Sequence, residues 1–517
     1  MEKIKGPGVF IVEKNAFPNS VVEVATAVPA FIGHTEKADD QGKSLLNTPR
    51  RISSLPEFQT YFGVGPTPKF TLAKIDQSAT SPAASPVAAF FDEDKNGYSL
   101  TWDSRKYLLY YSMLLFFQNG GEVCYIVSVG DYAADFAADK LQAGIDTLTA
   151  ELEPTMVVIP EAVRLPAADC AAVQQAALAH CGEMGNRVAI LDVHGGDQGR
   201  QGPGGDVIEK FRDGVGNKYL DFAAAYYPWL NTAIVQNNEV SYENISNKER
   251  LQTLLRAEVK RLAAEGLKPE RVAALIEGVD HITQDWTEDS GAKAEEVSTS
   301  KKVLDRNLRA GFPLYGKILS EIQRRLNLLP PAAAMAGVYT TIDASQGVWK
   351  APANASLNAV ISPAVPITDE EREALNVSPQ GKSINVLRAF VGEGTLVSGA
   401  RTLDGNSPDR RYIHMCRTRI MLEESIKLAA KAFIFEKNDA TTWVALKSMI
   451  GNFLDSVWKR GGLAGASADD AFSVQVGLGE TMTAEEIVEG ILRVTVKVAI
   501  SRPAEFTEIT FQQMQKS

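Results

Sequence analysis

The chain alternates unbroken apolar runs with helical stretches between residues 107 and 193. The run YLLYYSMLLFF is typical of a buried helix, and after Asn-Gly-Gly it is followed by VCYIVSV (123–129), which is typical of a buried strand. TMVVIP (155–160) and RVAILDV (187–193) predict two further buried strands, and DCAAVQQAALAHC between them predicts a helix. Because strands made of continuous Val, Ile and Leu are covered on both faces, this alternation predicts an α/β domain with a largely parallel sheet.

The last third of the chain predicts a compact α+β module. Asp439 is positioned to cap a long amphipathic helix that ends at Gly461. The apolar face of that helix steps by three and four residues: Trp443, Leu446, Ile450, Phe453 and Val457. Thr483 and Glu486 form a capping-box pattern, which predicts the start of a short helix. RVTVKVAI (493–500) alternates apolar and polar residues, as expected for an antiparallel strand with one exposed face.

Both ends of the chain carry a short strand pattern beside a polar connector. GVFIVE (8–13) is followed by KNAFPNS (14–20), and near the carboxyl end Thr507, Ile509 and Phe511 fall on one face of a predicted strand. A terminal strand needs the edge of a sheet to pair with. The sequence therefore raises the question of which sheet accepts these strands, and whether it belongs to the same molecule.

Two further regions differ in composition from the predicted α/β body. Residues 64–104 are rich in Pro, Ser, Ala and Thr and predict an insertion or a long surface loop. Residues 246–328 are mostly helical and charged, with an exposed polar loop predicted at 285–302. The pair Pro330 and Pro331 marks a boundary after this helical region.

Composition limits the class of protein. A chain of 517 residues corresponds to about three domains at ~150 residues each. The net charge of −11 argues against a general nucleic-acid binder. The four widely spaced cysteines suit reduced thiols better than a disulfide framework. The amino terminus lacks the apolar run of a signal peptide, and the longest apolar stretch has about half the length of a membrane span. We therefore expect a protein made and folded in the cytosol.

The search for catalytic or metal-binding residues gives little. LDVHGGD (191–197) places Asp192 and His194 after a buried strand, where α/β folds bind ligands, but no nucleophile or third metal ligand accompanies them. A structural turn is the favoured interpretation over a site. Two pairs of neighbours also suggest metal ligation, although each fits an element interior better: His180 with Cys181, and His414 with Cys416. No Walker A loop or GxGxxG after a strand is present. No catalytic, cofactor-binding or metal site is predicted, and the chain is not expected to be an enzyme.

A series of segments, in order along nearly the whole chain, resembles one known family. They begin with GPGVFIVE, VATAVPAFIGHTEK, ISSLPEFQTYFG and FFQNGGEVCYIVSV. YYPWL, PPAAAMAGVYTTIDASQGVWKAPAN, INVLRAF, GARTL, EESIKLAAKAFIFEKNDATTW and RPAEF follow. These segments resemble contractile tail sheath proteins, the sheath subunits of contractile phages, R-type tailocins and extracellular contractile injection systems. Ser398 stands where the family often has Trp, and residues 64–104 are not a shared element. The two-protein sheath of type VI secretion is a more distant resemblance.

The resemblance implies a multidomain protein of mixed α/β and α+β class. Its implied parts are an amino-terminal arm strand with connector (1–22), an outer α/β domain with an insertion near 64–104 (23–335), an inner α+β sheath domain (336–500) and a carboxyl-terminal arm strand (501–517). In such proteins the inner sheet is completed by strands from neighbouring subunits, a binding mode in which backbone hydrogen bonds supply affinity. The implied arm residues are Val9, Phe10, Ile11, Val12, Phe506, Ile509 and Phe511.

The function implied by the resemblance is mechanical. Subunits would stack as hexameric rings around an inner tube and contract to drive that tube through a target envelope. Implied partners are further copies of the chain, the inner tube protein, and baseplate and terminal cap proteins, with paralogous sheath subunits as an option. No nucleic acid, cofactor or direct membrane insertion is implied. Assembly is expected in the cytoplasm, followed by incorporation into a phage tail or a tail-like particle, with extracellular release as an option.

Two alternatives stay open at this point. Trp458, Lys459 and Arg460 end the long helix and are candidates for contact with an acidic tube surface, but basic residues also simply suit a helix carboxyl end. The alternative function is an α/β enzyme or ligand-binding protein with an accessory domain. Whether the host particle is a phage, a tailocin or an injection system is also left open.

Overall fold

The computed structural model describes residues 20–75, 88–103, 105–202, 204–284, 294–377 and 379–503. The predicted arm residues Val9, Phe10, Ile11, Val12, Phe506, Ile509 and Phe511 lie outside these ranges. The α-helices are α1 Leu55–Phe62, α2 Leu109–Gln118, α3 Ala138–Thr147, α4 Ala167–Met184, α5 Val207–Gly214, α6 Lys248–Ala264, α7 Pro269–Asp280, α8 Ala294–Gly311, α9 Pro313–Leu326, α10 Ala332–Gln346, α11 Asp369–Asn376, α12 Ile413–Ala430, α13 Ala440–Lys459, α14 Ala468–Ala471 and α15 Ala484–Val488.

The strands form one large sheet and several small ones. They are β1 Pro29–Gly33, β2 Asp39–Asp40, β3 Lys43–Ser44, β4 Arg50–Ile52, β5 Phe70–Lys74, β6 Phe90–Phe91, β7 Gly97–Trp102, β8 Cys124–Ser128, β9 Met156–Val158, β10 Val188–Asp192, β11 Ala223–Tyr227, β12 Leu230–Thr232, β13 Leu328–Leu329, β14 Val360–Pro363, β15 Asn385–Phe390, β16 Gly394–Ser398, β17 Phe472–Gln475 and β18 Thr495–Val498. No helix of the described residues has both the length and the apolarity to cross a membrane.

The large sheet has the strand order β16-β15-β11-β10-β9-β1-β8-β4. Neighbours from β15 to β8 are parallel, and only the edge strands β16 and β4 run antiparallel. Every residue of β1, β8, β10 and β11 is buried, because helices cover both faces of the sheet. Helix α3 packs on β1 and α4 on β10, while α10 packs on β9 and β10 and against α2. The predicted α/β domain with a largely parallel sheet is confirmed.

The region 64–104, predicted as an insertion or a long surface loop, contains three strands among its described residues. Strands β5, β6 and β7 form an antiparallel sheet in the order β5-β7-β6. Phe70, Leu72 and Leu100 on these strands are buried in the large core. The loop interpretation is therefore wrong for these strands. Strands β5 and β7 could not be recognised locally, since their paired residues stand more than twenty positions apart. Part of the loop predicted at 285–302 is likewise helical, because residues from 294 onward belong to α8.

The carboxyl-terminal module is built around α13. Asp439 Oδ1 accepts the backbone N–H groups of Thr441 and Thr442, which confirms the predicted cap. The Thr483–Glu486 capping box is also present. Strands β17 and β18 pair antiparallel, with Val474 opposite Val496. This module has its own apolar cluster, which includes Leu446, Ile450, Phe453, Leu454 and Val457 of α13.

The two apolar clusters divide the range 336–500. Helix α10 and strands β15 and β16 belong to the large cluster, whereas α13, α14 and β17 belong to the small one. Helix α12 contributes to both, with Ile413 in the large cluster and Met421 in the small one. The division into an outer domain at 23–335 and an inner domain at 336–500 stays a prediction.

Candidate assembly site

The small sheet offers two edges for strand addition. Strands β17 and β18 pair only with each other among the described residues. Their apolar residues Phe472, Val496 and Val498 are only partly buried, although all three pack against the small cluster. Two strands alone make a marginal sheet in water, and exposed strand edges invite further strands. The geometry is that of an incomplete sheet.

The first and last described segments of the chain lie beside the carboxyl end of α13. Val21 is buried in the small cluster, next to the first described residue. Ser501 Oγ donates to the carbonyl oxygen of Gly461 at 3.0 Å, just after the helix. Glu23 and Arg460 form an ion pair at 2.6 Å, which holds the incoming segment to the helix end. The predicted arms therefore adjoin segments that are fixed to the same module.

The helix end proposed for tube contact is engaged within the subunit. Trp458 Nε1 donates to the carbonyl oxygen of Gly465 at 3.1 Å. Lys459 pairs with Asp455 one turn earlier at 2.7 Å, and its side chain is 66% exposed. The Arg460 guanidinium, besides pairing with Glu23, lies 5.0 Å from the ring centre of Trp349. Of the three residues, Lys459 is the most open to a partner.

A buried ion pair anchors the segment that leads from the amino terminus into β1. Arg417 on α12 and Asp343 on α10 have side chains only 4% and 6% exposed, with nitrogen and oxygen 2.5 Å apart. Thr26 Oγ1 donates to Asp343 Oδ2 at 2.6 Å, and Arg417 donates to the Thr26 carbonyl oxygen at 2.8 Å. Arg417 also lies over the ring of Tyr339.

Flanking contacts extend this anchor along the same segment. The Val24 N–H donates to Ser425 Oγ at 3.1 Å, and the Val28 N–H donates to Thr155 Oγ1 at 2.9 Å. Residues 23–28, the anchored connector, are thus tied to α10, α12, the end of α13 and the start of β9. Sequence reasoning missed this anchor. The signal available in the sequence was Asp343, the single charged residue of the otherwise uncharged helix α10, whereas α12 has several charged residues and does not single out Arg417.

The LDVHGGD segment forms a turn at the end of β10. Asp192 is buried, and its Oδ1 accepts the N–H of Ala332 at 2.7 Å, at the first residue of α10. Burial raises the pKa of Asp192 to about 8. His194 Nε2 is 3.0 Å from the carbonyl oxygen of Leu165, to which it donates. Both side chains therefore have structural partners.

The two His–Cys neighbours lie inside helices. His180 is on α4 and His414 on α12, and both are buried. Burial, reinforced by a nearby arginine, lowers the pKa of each histidine to about 4. Burial raises the pKa of the Cys181 thiol to about 12 and of the Cys416 thiol to about 11. Among the described residues, no group of three or more His, Cys, Asp or Glu side chains is arranged to hold a metal ion.

Comparison with known proteins was made on both sequence and structure. No protein-family model matches the chain, and no curated protein matches it. A chain of the anti-feeding prophage baseplate is 25% identical, with 99% of this chain and 100% of that one covered and a TM-score of 0.58.

Two sheath structures match over the same extent. The PVC sheath complex, an extracellular contractile injection system in its contracted state, is 25% identical, with 99% of both chains covered and a TM-score of 0.58. The anti-feeding prophage helical sheath in its contracted state gives the same identity and coverage with a TM-score of 0.59. The similarity spans almost the whole chain and agrees with the ordered sequence segments, and it supports the assignment of this chain to the contractile tail sheath family.

Proposed function

We propose that this sheath subunit polymerises as stacked hexameric rings around an inner tube and contracts to drive the tube through a target envelope. Support comes from the matched structures, which are a helical sheath, a sheath complex and a sixfold symmetrised baseplate. Contraction requires two packings of the same subunits that differ by a few kcal/mol each. Many copies sum this difference, so no nucleotide has to be hydrolysed.

The subunits are held together by exchanged strands. The single observation that carries this part of the proposal is the small sheet, which has two strands and two edges without strand partners among the described residues. A neighbour's amino-terminal arm (Val9, Phe10, Ile11 and Val12) would pair with one edge. Another neighbour's carboxyl-terminal arm (Phe506, Ile509 and Phe511) would pair with the other. The strand added beside β18 would cover its half-buried Val496 and Val498.

The further partners follow from this role. The subunit would contact an inner tube protein, a baseplate and a terminal cap, after assembly in the cytoplasm as part of a tail or tail-like particle. Lys459 is the residue of the Trp458, Lys459 and Arg460 group that we assign to an acidic tube surface, because its ammonium group is largely exposed. No observation favours the alternative of an enzyme or ligand-binding protein as the main role of the chain.

Deletion of residues 506–517 tests the strand exchange. An arm that pairs with a neighbour adds little to the core of its own subunit, so the deletion should abolish tubes and leave the subunit folded. The matched control deletes only residues 512–517, which follow the predicted strand, and should still polymerise. Sedimentation and negative-stain microscopy measure assembly, and circular dichroism measures folding. Normal tubes from the longer deletion would contradict the proposal, and so would unfolding of its subunits.

A further inference from the structure

A cavity lies outside the carboxyl ends of the parallel strands. It has a volume of about 350 Å³, and its walls include Phe136, Arg164, Asp197 and Trp229. These residues follow β8, β9, β10 and β11 respectively. Strand β1 is the first strand of this sheet in the sequence, and it lies between β8 and β9. The strand order therefore changes direction at β1, because β8 is added on one side of it and β9 on the other. Open α/β sheets bind their ligands in the crevice at such a switch point.

The cavity carries an excess of positive charge. The only carboxylate in its walls is that of Asp197. The cations in its walls are four arginines and one lysine: Arg105, Lys106, Arg164, Arg324 and Arg325. Arg105 pairs with Asp135, whose side chain is largely exposed, and Arg324 and Arg325 share Glu321. Five cations thus face three carboxylates. The Arg164 side chain makes no hydrogen bond or ion pair with any described residue.

Lys106 is the cation most in need of a counter-ion. It is 6% exposed, and its ammonium donates to the carbonyl oxygens of Arg325 at 3.0 Å and Leu328 at 2.7 Å. An ammonium has three protons, so one remains for another acceptor. Burial, reinforced by the nearby charge of Arg164, lowers the pKa of Lys106 to about 7. A buried cation without a carboxylate in contact is costly, and a bound anion would offset that cost.

Aromatic rings stand beside these cations. Trp102 and Phe136 are partly exposed and line the cavity, and the Lys106 ammonium lies 5.2 Å from the centre of the Trp102 ring. The orientation of the Trp229 ring is fixed by a hydrogen bond, in which its Nε1 donates to the carbonyl oxygen of Val193 at 3.0 Å. Rings next to cations suit a ligand that has both a planar apolar part and an anionic group. The volume falls within the range of about 300–1,000 Å³ that is usual for small-molecule sites.

We propose that this cavity binds a small organic anion in which a phosphate or carboxylate group is attached to a planar ring. The anion would sit between Arg164 and Lys106, and the ring would lie against Trp102 and Phe136. Asp197 is placed to accept a hydrogen bond from a donor on the ligand. This site is separate from the carboxyl-terminal module, to which we assign the strand exchange between subunits.

Calorimetric titration of the full-length protein at low ionic strength tests the site. Adenosine monophosphate is the probe with a phosphate group, benzoate is the probe with a carboxylate group, and adenosine is the uncharged control with a planar ring. Arg164→Gln removes an exposed cation of the cavity. Arg256→Gln is the matched control, because Arg256 is also exposed and its ion pair with Asp280 lies outside the cavity walls.

The proposal predicts saturable binding of at least one anionic probe and none of adenosine. Arg164→Gln should weaken that binding about tenfold or more, the effect of losing one charge-assisted hydrogen bond, and Arg256→Gln less than about twofold. Stronger binding of adenosine monophosphate than of benzoate would assign the site to phosphates, and the reverse to carboxylates. Absence of saturation for both anions up to about 10 mM would overturn the proposal, and so would equal weakening in the two variants.

Discussion

The carboxyl group of Asp192 connects two elements of the large core. It stands at the end of β10 and accepts the first backbone N–H of α10, where helix N–H groups have no intrahelical partner. In the folded protein its pKa is raised from 3.8 to about 8 by burial. The folded state therefore keeps a proton on Asp192 that the unfolded chain releases above about pH 4. Its contribution to stability is present at low pH and is lost as the pH rises toward 8.

The variant Asp192→Asn distinguishes the effect of the hydrogen bond to the Ala332 N–H from the effect of ionising the carboxyl group. The amide oxygen still accepts the Ala332 N–H but does not ionise, so the variant should gain stability relative to wild type as the pH rises from 5 to 9. The size of this change is a few kcal/mol, given the shift in pKa. Asp192→Ala should lose about 1–2 kcal/mol at pH 5, because it removes the cap. Thermal unfolding at both pH values measures these differences, and parallel curves for wild type and Asp192→Asn would show that the carboxyl is already ionised when folded.

His194→Ala tests whether the turn after β10 has any role beyond structure. The histidine donates one hydrogen bond to Leu165, so its loss should reduce the free energy of unfolding by about 0.5–1.5 kcal/mol. Assembly and contraction should be unchanged. Electron microscopy before and after a contraction trigger is the measurement, and particles that assemble but do not contract would reveal a function for this side chain.

The Arg417–Asp343 pair should be the most sensitive polar contact of the anchored connector. Arg417→Met leaves a buried carboxylate without its counter-ion and should cost about 3–5 kcal/mol. The double variant with Asp343→Leu should recover most of that loss, since both charges are then gone. The exposed Arg256–Asp280 pair is the control, and Arg256→Met should cost less than about 1 kcal/mol. Urea unfolding measures all four proteins, and a smaller effect of Arg417→Met than of Arg256→Met would refute the anchor.

At the scale of elements, local sequence signals predicted those structures whose cause is local. Asp439 and the Thr483–Glu486 pair were identified because a cap lies within three residues of the N–H group it accepts. The unbroken apolar runs predicted β8, β9 and β10 for a similar reason. Strands β5 and β7 were missed, because what makes them strands is pairing with each other and burial of Phe70 against distant residues. The ion pair that fixes the anchored connector was missed for the same reason, because Asp343 and Arg417 stand 74 positions apart in the sequence.

The carboxyl end of α13 allows a test of the assignment to the tube. Lys459→Glu places a negative charge where we expect an acidic partner, so it should reduce association with the tube and leave sheath-only polymers intact. Lys427→Glu on α12 is the matched control, because the two lysines are 66% and 64% exposed and each pairs with a carboxylate on its own helix. Co-sedimentation of subunits with purified tubes measures the effect. If both variants co-sediment with tubes to the same extent, Lys459 does not contact the tube and only stabilises its own helix.

At the scale of the whole molecule, we propose that residues 14–20 join the subunit to its neighbours. Residues 14–20 lie between the amino-terminal arm and the anchored connector, which is fixed through Glu23, Val24 and Thr26 to three helices. If the arm stays paired with a neighbour's sheet while the sheath contracts, the movement of one subunit reaches the next through this short span. The pull is then delivered to α10, α12 and the end of α13 together. The length of residues 14–20 should limit how far one ring moves before it moves the next.

Lengthening this span by two or three residues after Phe17 therefore tests coupling without altering the pairing residues. Each added residue contributes at most about 3.3–3.6 Å of slack, so the insertion adds ~7–10 Å in total. Affinity of the arm should change little, since closure entropy depends only weakly on length. We expect particles that assemble in the extended state and fail to contract under mild acid or denaturant, as seen by electron microscopy. The same insertion after Gly266, in the exposed turn between α6 and α7, should contract normally. Full contraction of the first variant would refute the coupling, whereas failure to assemble would show that residues 14–20 are themselves a packed interface.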